Sequence, residues 1–571
     1  MTMSDVTLSP LPPALRHWRG LGLWNFYFIT KLVLFWQGLI NFHPLYNLAL
    51  AAWLLFPVAP LWLHRGRQLL ALPFAVALFY YDSWLPPFKR LLAQSSAVES
   101  FSADYMLELA GRFINWNWLA GGLTLLVVYL FLSQFIRFSL LIFSTLAVLT
   151  LWPYLQPWWS VEKPQLQAQA EQVSRGVDKA VHRADSDILS VEQGAEQSLA
   201  ATGAPPSDEV LNRTLSEFYQ QQSQLFTNFP AAEALQTPFD VLILNICSLS
   251  WSDMQAVGLM EHPLWQSMDV VFDEFNSAST YSGPAMIRLL RASCGQQTNA
   301  DLFAQADPRC YLFDNLQKIG FSEAWAMNHD GHFGDFVAEA RKFGGLATEP
   351  MSLTNMSPVM TSFDGSPIYR DLTVLDNWWQ QRLQSDKPRE VLYYNTITLH
   401  DGNRTIDNRG QTSRADYKQN LTRLFDDLQA FIQKLEQSGR PVMVVIVPEH
   451  GAALTGDLMQ ISGMREIPSP SIVHVPVGVK LVNTKSRISQ SPMHVTQPSS
   501  YLAISQLVAD LANGQAFSQD NVDVRALVQA LPQTVPVVAA NEGSVMLRYQ
   551  GKEYLTLDRK TWTLYPQQPS R

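Results

Sequence analysis

Val442-Met-Val-Val-Ile-Val-Pro-Glu-His-Gly451 holds both a fold signal and a chemical one. Val442–Val447 is an unbroken apolar run rich in β-branched residues, too short for a helix and suited to a strand buried on both faces. Similar runs at Val241–Ile246, Val391–Thr396 and Val477–Val482 alternate with longer amphipathic stretches at Gly283–Ala292, Arg414–Gln437 and Ser499–Ala512. That alternation predicts an α/β domain over residues 239–571, a sheet flanked by helices. The tail Ser544–Tyr565 alternates apolar and polar residues around Gln550-Gly551 and Asp558-Arg559, which predicts a terminal antiparallel hairpin or meander.

Working outward, the N-terminal part has a different composition. Charged residues make up 16% of the 571-residue chain, against about 25% in ordinary soluble proteins. Residues 1–156 hold only nine Lys/Arg and five Asp/Glu, together with 11 of the 17 tryptophans before residue 160. Five apolar stretches, Leu23–Phe42, Pro44–Leu63, Gln68–Leu85, Trp118–Ile136 and Phe138–Leu155, predict a bundle of five transmembrane helices. Lys31 in the first is expected to snorkel or to face a partner helix. Arg16, Arg19, Arg65, Arg67 and Arg137 fall on one side of these stretches, which predicts a multi-pass protein with a cytoplasmic N-terminus and its large domain outside the cytoplasm. Residues 157–238, polar and rich in Gln, Ala, Ser and Glu, read as a helical linker, with exposed helix at Gln165–Ala180. The net charge of −9 is carried by the part after residue 156, which excludes a nucleic-acid binder with a basic face.

Ligands of α/β sheets bind beyond the carboxyl ends of the strands. The polar segments there are Asn245-Ile-Cys-Ser248, Thr398-Leu-His-Asp401 and Pro448-Glu-His-Gly451, with Thr280-Tyr-Ser-Gly-Pro284 opening an amphipathic stretch. Of three cysteines, Cys294 and Cys310 are 16 positions apart across a polar run. A bridge between them would contribute about 3 kcal/mol by loop closure and would leave Cys247 unpaired, either as a buried structural thiol or as a metal thiolate. Cys247 together with Glu449 and His450 offers thiolate, carboxylate and imidazole, a donor set that favours zinc with an open fourth position. Ser282 is either a helix cap or a nucleophile placed where a helix N-terminus receives phosphate. His329 and His332, in Asn328-His-Asp-Gly-His-Phe333, form a second polar cluster read as a turn, or alternatively as lining a substrate groove. Trp378-Trp379 is read as core packing, or alternatively as a sugar-stacking platform.

Leu244-Asn-Ile-Cys-Ser-Leu-Ser-Trp-Ser-Asp253, Phe275-Asn-Ser-Ala-Ser-Thr-Tyr-Ser-Gly-Pro284 and Pro448-Glu-His-Gly451 resemble the BcsG family of cellulose phosphoethanolamine transferases, within the alkaline phosphatase/sulfatase superfamily. The resemblance covers essentially the whole chain. It implies an alkaline phosphatase/sulfatase-like mixed sheet flanked by helices, behind five spans. It implies Zn2+ held by Cys247, Ser282, Glu449 and His450, with Ser282 accepting phosphoethanolamine from phosphatidylethanolamine and passing it to glucose C6 hydroxyls of cellulose. Tyr281, His400 and Arg465 match residues of the family's activity, and Cys294 and Cys310 match its cysteine pair. A cell inner-membrane location with a periplasmic catalytic domain, and contact with a cellulose synthase complex, are also implied. A sulfatase would place arginine at position 286, where this chain has Met, and its next arginine is Arg288. A phosphoglycerol transferase, or a non-catalytic scaffold of the synthase complex, is the alternative.

Overall fold

The computed structural model describes residues 20–37, 40–58, 61–83, 106, 111, 116–159, 205–235, 237–486 and 491–566. The chain divides into two compact units, Met1–Gln94 with Ala110–Ala204, and Ser95–Leu109 with Pro205–Arg571.

The first unit is helical: α1 (Trp24–Trp36), α2 (Pro44–Leu55), α3 (Leu61–Asp82), α4 (Trp116–Leu132) and α5 (Phe138–Trp159). Among the described residues no helix is long and apolar enough to cross a membrane, which overturns the expected five-span bundle. The first apolar stretch stops being helical at Trp36 and the second at Leu55, leaving helices of 13 and 12 residues. At 1.5 Å per residue these reach about 20 Å, short of a hydrocarbon core of about 30 Å. Helix α3 has 22 residues but includes Arg65, Arg67 and Asp82. Helix α4 has 17 residues, and the side chains of α5 are described only as far as Trp152. Continuous hydrophobicity in the sequence therefore ran across helix breaks. Lys31 does face a partner helix, as a fully buried ion pair with Asp82 at 2.5 Å. The pair is extended by Asn47, which accepts from Lys31 Nζ at 2.8 Å and donates to Asp82 at 2.8 Å. Arg16, Arg19 and the Gln165–Ala180 stretch lie outside the described residues.

The second unit is built on a seven-stranded sheet: β1 (Asp240–Ile246), β2 (Val270–Asn276), β3 (Ser322–Met327), β4 (Glu390–Thr396), β5 (Val442–Pro448), β6 (His474–Val482) and β7 (Met493–Val495). Their spatial order is β7-β2-β6-β5-β1-β4-β3. Strands β3, β4, β1 and β5 are parallel. Strand β6 runs antiparallel to both β5 and β2, so the sheet is mixed. Every residue of β5 is buried. Met443, Val445 and Val447 enter one core and Val442, Val444 and Ile446 the other, the two-residue alternation of a strand covered on both faces. Helices supply these covers. Helix α8 (Ser282–Leu290) and helix α12 (Tyr501–Leu511) pack on the first face, and α11 (Tyr417–Gln437) on the second. Trp378 and Trp379, on α10 (Asp371–Gln384), are buried in the second core. They serve packing and are closed to a sugar ring.

The tail is an antiparallel meander of β8 (Val538–Asn541), β9 (Ser544–Tyr549), β10 (Lys552–Thr556) and β11 (Thr563–Leu564). Within the polar 157–238 run, helix α6 (Asp208–Gln222) folds onto it, burying Leu211 and Phe218 against Val538, Val545 and Leu547.

Candidate metal and nucleophile site

Parallel alignment of β4, β1 and β5 brings their carboxyl ends to one edge. Ile246 pairs with Thr396 on one side and Pro448 on the other, so Cys247 emerges between the segments that lead to His400 and to Glu449-His450. The next backbone bonds hold this alignment: Cys247 N–H donates to Thr396 O at 3.0 Å and Glu449 N–H to Ile246 O at 2.9 Å. Beyond Cys247 the chain turns sharply, with Ser248 at φ 65°, a left-handed conformation unusual for a non-glycine residue. The Tyr417 hydroxyl pins that turn by donating to Ser248 O at 2.6 Å.

One carboxylate ties the loop carrying Cys247 to the loop carrying His450. Ser250 and Asp253 form a capping box on α7 (Trp251–Val257). The buried Asp253 carboxylate accepts from Ser250 N at 3.0 Å, Ser250 Oγ at 2.7 Å, Ala452 N at 2.7 Å and Leu454 N at 3.2 Å. Leu249 N–H also donates to His450 O at 2.7 Å. Gly451 is required by this closeness, because a Cβ there would lie 2.6 Å from Ser250 Oγ and 2.8 Å from Asp253 Oδ2.

At the centre, Cys247, Glu449 and His450 are fully buried, and one ligand atom from each lies within 4.8 Å of the others. Ser282 Oγ is 3.4 Å from Cys247 Sγ and 3.4 Å from His450 Nε2. The helix cap is Tyr281, and Ser282 is the first residue of α8 with no side-chain capping bond there, so its hydroxyl is turned to this cluster. His450 Nδ1–H donates to Gly451 O at 2.9 Å, which leaves Nε2 as the lone-pair nitrogen facing the thiol and hydroxyl. Burial pushes the Cys247 thiol up to about 12, and the neighbouring Glu449 charge adds to the effect. Burial also raises the Glu449 carboxyl. Burial, and then the Arg465 charge, hold His450 well below its ordinary value and so neutral.

Two anion-forming groups crowded in a dry pocket are costly without a cation. Glu449 Oε2 is buried and has no hydrogen-bond partner. That orphaned oxygen, with a thiol and a lone-pair imidazole nitrogen beside it, fits a zinc ion.

The remaining predicted residues surround the cluster. Arg465 Nη1 is 3.1 Å from His450 Nδ1, and its guanidinium lies 5.7 Å from the Tyr281 ring centre. Tyr281 donates its hydroxyl to Glu466 Oε1 at 2.6 Å. His400 follows β4, packs on Phe363 with ring centres 4.9 Å apart, and donates from Nδ1 to Asp401 O at 2.7 Å. Desolvation, then the Arg465 charge, depress it to about 4. His329 makes the expected turn, accepting from Gly331 N at 3.1 Å, and its Nε2 also donates to Asn395 Oδ1 at 2.8 Å. His332 is exposed. Cys294 and Cys310 form a disulfide, and Cys247 is a free thiol.

Sequence reading passed over the residues that orient the cluster. Asn395, the penultimate residue of β4, donates to Glu449 Oε1 at 2.6 Å. Asn541, at the end of β8, donates to Thr280 Oγ1 at 2.7 Å and to the carbonyls of Arg465 and Glu466 at 3.1 and 3.0 Å. It thereby joins the loop before Ser282 to the loop carrying Arg465. A strand-end asparagine in a run such as Tyr394-Asn-Thr-Ile was the only available signal for the first, and nothing local marked the second.

The fold and site together define an α/β protein with a buried thiol–carboxylate–imidazole cluster beside a serine. Residues 195–562 match the family description "Cellulose biosynthesis protein BcsG C-terminal domain", and residues 24–151 match the corresponding N-terminal domain. The chain belongs to the BcsG family. It is 45% identical over 563 residues to cellulose biosynthesis protein BcsG of Escherichia coli K12, covering 97% of each chain. It is 44% identical over 578 residues to the protein of the same name from Salmonella typhimurium, covering 99% of this chain and 100% of that one. Among solved structures, an alkaline phosphatase superfamily protein from Vibrio parahaemolyticus overlaps 63% of this chain and 91% of its own at 12% identity and TM-score 0.44. The C-terminal periplasmic domain of EcEptC from Escherichia coli overlaps 56% and 93% at 14% identity and TM-score 0.39.

Proposed function

We propose that this protein is a zinc-dependent transferase that moves phosphoethanolamine from phosphatidylethanolamine to the C6 hydroxyls of cellulose through Ser282. One observation carries the reading: Ser282 Oγ lies 3.4 Å from both Cys247 Sγ and His450 Nε2, beside an orphaned Glu449 oxygen. The cellulose acceptor is supported by the names of the two relatives, both cellulose biosynthesis proteins.

Cys247, Glu449 and His450, with Ser282 as the fourth, would hold the metal. Zinc supplies positive charge that favours the ionised hydroxyl of Ser282 and the negative phosphoryl group. Ser282 Oγ attacks phosphorus, forming an Oγ–P bond while the P–O bond to diacylglycerol breaks. His400, whose Nδ1–H is committed to Asp401 O, presents the Nε2 lone pair to receive the proton released by Ser282, passes it to the departing oxygen, and in the second half takes the proton of the acceptor hydroxyl and returns it to Ser282. The acceptor oxygen attacks phosphorus, the Oγ–P bond breaks, and Ser282 is regenerated. Arg465 neutralises non-bridging phosphate oxygens. Asn395 holds Glu449 in place through the whole cycle. The disulfide supports an oxidising, extracytoplasmic setting for this unit, where a nascent extracellular polymer would be met.

The test is mass spectrometry of the full-length protein incubated with phosphatidylethanolamine vesicles. A phosphoethanolamine adduct on Ser282 that chases onto cello-oligosaccharide is expected, and no adduct with Ser282→Ala. Product formation by Ser282→Ala at the wild-type rate would remove the mechanism.

A further inference from the structure

The ligand cluster and Arg465 account for the phosphoryl end of a headgroup but leave its amine unaddressed. The next residue, Glu466, is half-buried and lies on the same loop. One of its carboxylate oxygens accepts the Tyr281 hydroxyl at 2.6 Å. Among the described residues no Lys, Arg or His pairs with that carboxylate, unlike the buried Asp240, which is held by Arg382 and Arg440. Its backbone is fixed independently, the Glu466 carbonyl accepting from Asn541 Nδ2 at 3.0 Å and Ser544 Oγ at 2.6 Å. Tyr281 immediately precedes Ser282, and its ring centre lies 5.7 Å from the Arg465 guanidinium, so the Tyr281–Glu466 pair flanks the residues assigned to the phosphoryl group.

We propose that Glu466, oriented by Tyr281, is the specificity determinant that binds the ammonium of a zwitterionic phosphoethanolamine group while Arg465 meets its phosphate. This rests on the proposed transfer and extends it to headgroup choice. Consecutive residues of opposite charge, whose Cα atoms are about 3.8 Å apart, present a dipole to a ligand whose own two charges are separated by an ethylene link. A neutral or anionic headgroup, such as glycerol, would leave the carboxylate unpaired.

Free phosphoethanolamine and ethyl phosphate differ only by the ammonium, so calorimetric titration of each into the full-length zinc-loaded protein isolates this contact. Wild type is expected to prefer phosphoethanolamine by about tenfold, the yield of one charge-assisted hydrogen bond. Glu466→Gln, which can still accept from Tyr281, should bring the ratio close to one, and Glu466→Asp should retain part of it. Equal binding of both ligands by wild type, an unchanged ratio in Glu466→Gln, or an equal loss for both ligands would overturn the assignment. Failure of vesicle-to-glucan transfer in wild type, with the binding preference intact, would instead count against the transferase reading alone.

Discussion

Removing the Asp253 carboxylate should unlock the site without touching a single ligand. In the folded protein it accepts four hydrogen bonds, three to one oxygen and one to the other. Asp253→Ala leaves three backbone N–H groups, those of Ser250, Ala452 and Leu454, without partners, while the Ser250 hydroxyl can rotate. At about 1–3 kcal/mol for each buried donor stranded, less what water entering the vacated space restores, the loss should be about 3–5 kcal/mol. Asp253→Asn is the control. With its amide oxygen in the position of Oδ2 it keeps three of the four bonds and sets its NH2 against only Leu454 N–H, for a cost of about 1 kcal/mol. Urea unfolding of the full-length protein, followed by intrinsic fluorescence at constant slope, measures both. Zinc content per chain should fall with Asp253→Ala, because Asp253 ties the loop carrying Cys247 to the loop carrying His450. An alanine variant within about 1 kcal/mol of wild type, or an asparagine variant as unstable as alanine, would refute the claim that this carboxylate holds the ligand loops together.

Metal analysis of the full-length protein should find near-stoichiometric zinc that is lost in Cys247→Ala; equal zinc in both would remove the thiol from the ligand set. Asn395→Leu should weaken zinc binding by roughly 10–100-fold, as expected of a partner that orients a metal ligand, and unchanged affinity in a competition assay with a chelator would contradict that role. Because His400 is held at about 4 rather than 6.5, it is already neutral at pH 6. The His400-dependent acid limb of the pH–rate profile should therefore fall as pH drops through about 4 and vanish in His400→Gln; a limb near 6.5 would contradict the burial argument. Paired Cys294→Ser/Cys310→Ser substitution should cost about 3 kcal/mol by loop entropy, read in the same urea titration, with zinc content unchanged.

Much of the second unit was legible locally. The strands were readable because unbroken β-branched runs have few ways to satisfy their backbone other than inside a sheet. Cys247, Glu449 and His450 were readable because polar residues directly after such runs face the ligand edge. The reversed direction of β6 was not, since apolar content carries no sign for strand direction. In the N-terminal unit the same hydrophobicity misled. Continuous apolar runs said nothing of where helices end, so α1 and α2 were read as spans although they stop after 13 and 12 residues.

What the amino-acid sequence determined by itself was the inventory: which segments are strands, and which side chains of metal-binding type follow them. Only the tertiary structure decided which of those meet. The register of β1 between β4 and β5 set Cys247 beside Glu449. Long-range bonds then brought Asn395 to Glu449, Asp253 to both ligand loops, and Asn541 to Thr280 across 261 positions of chain. Strand formation is a local response to apolar content, whereas these contacts exist because buried donors and acceptors must be satisfied by whatever the packed chain places within reach.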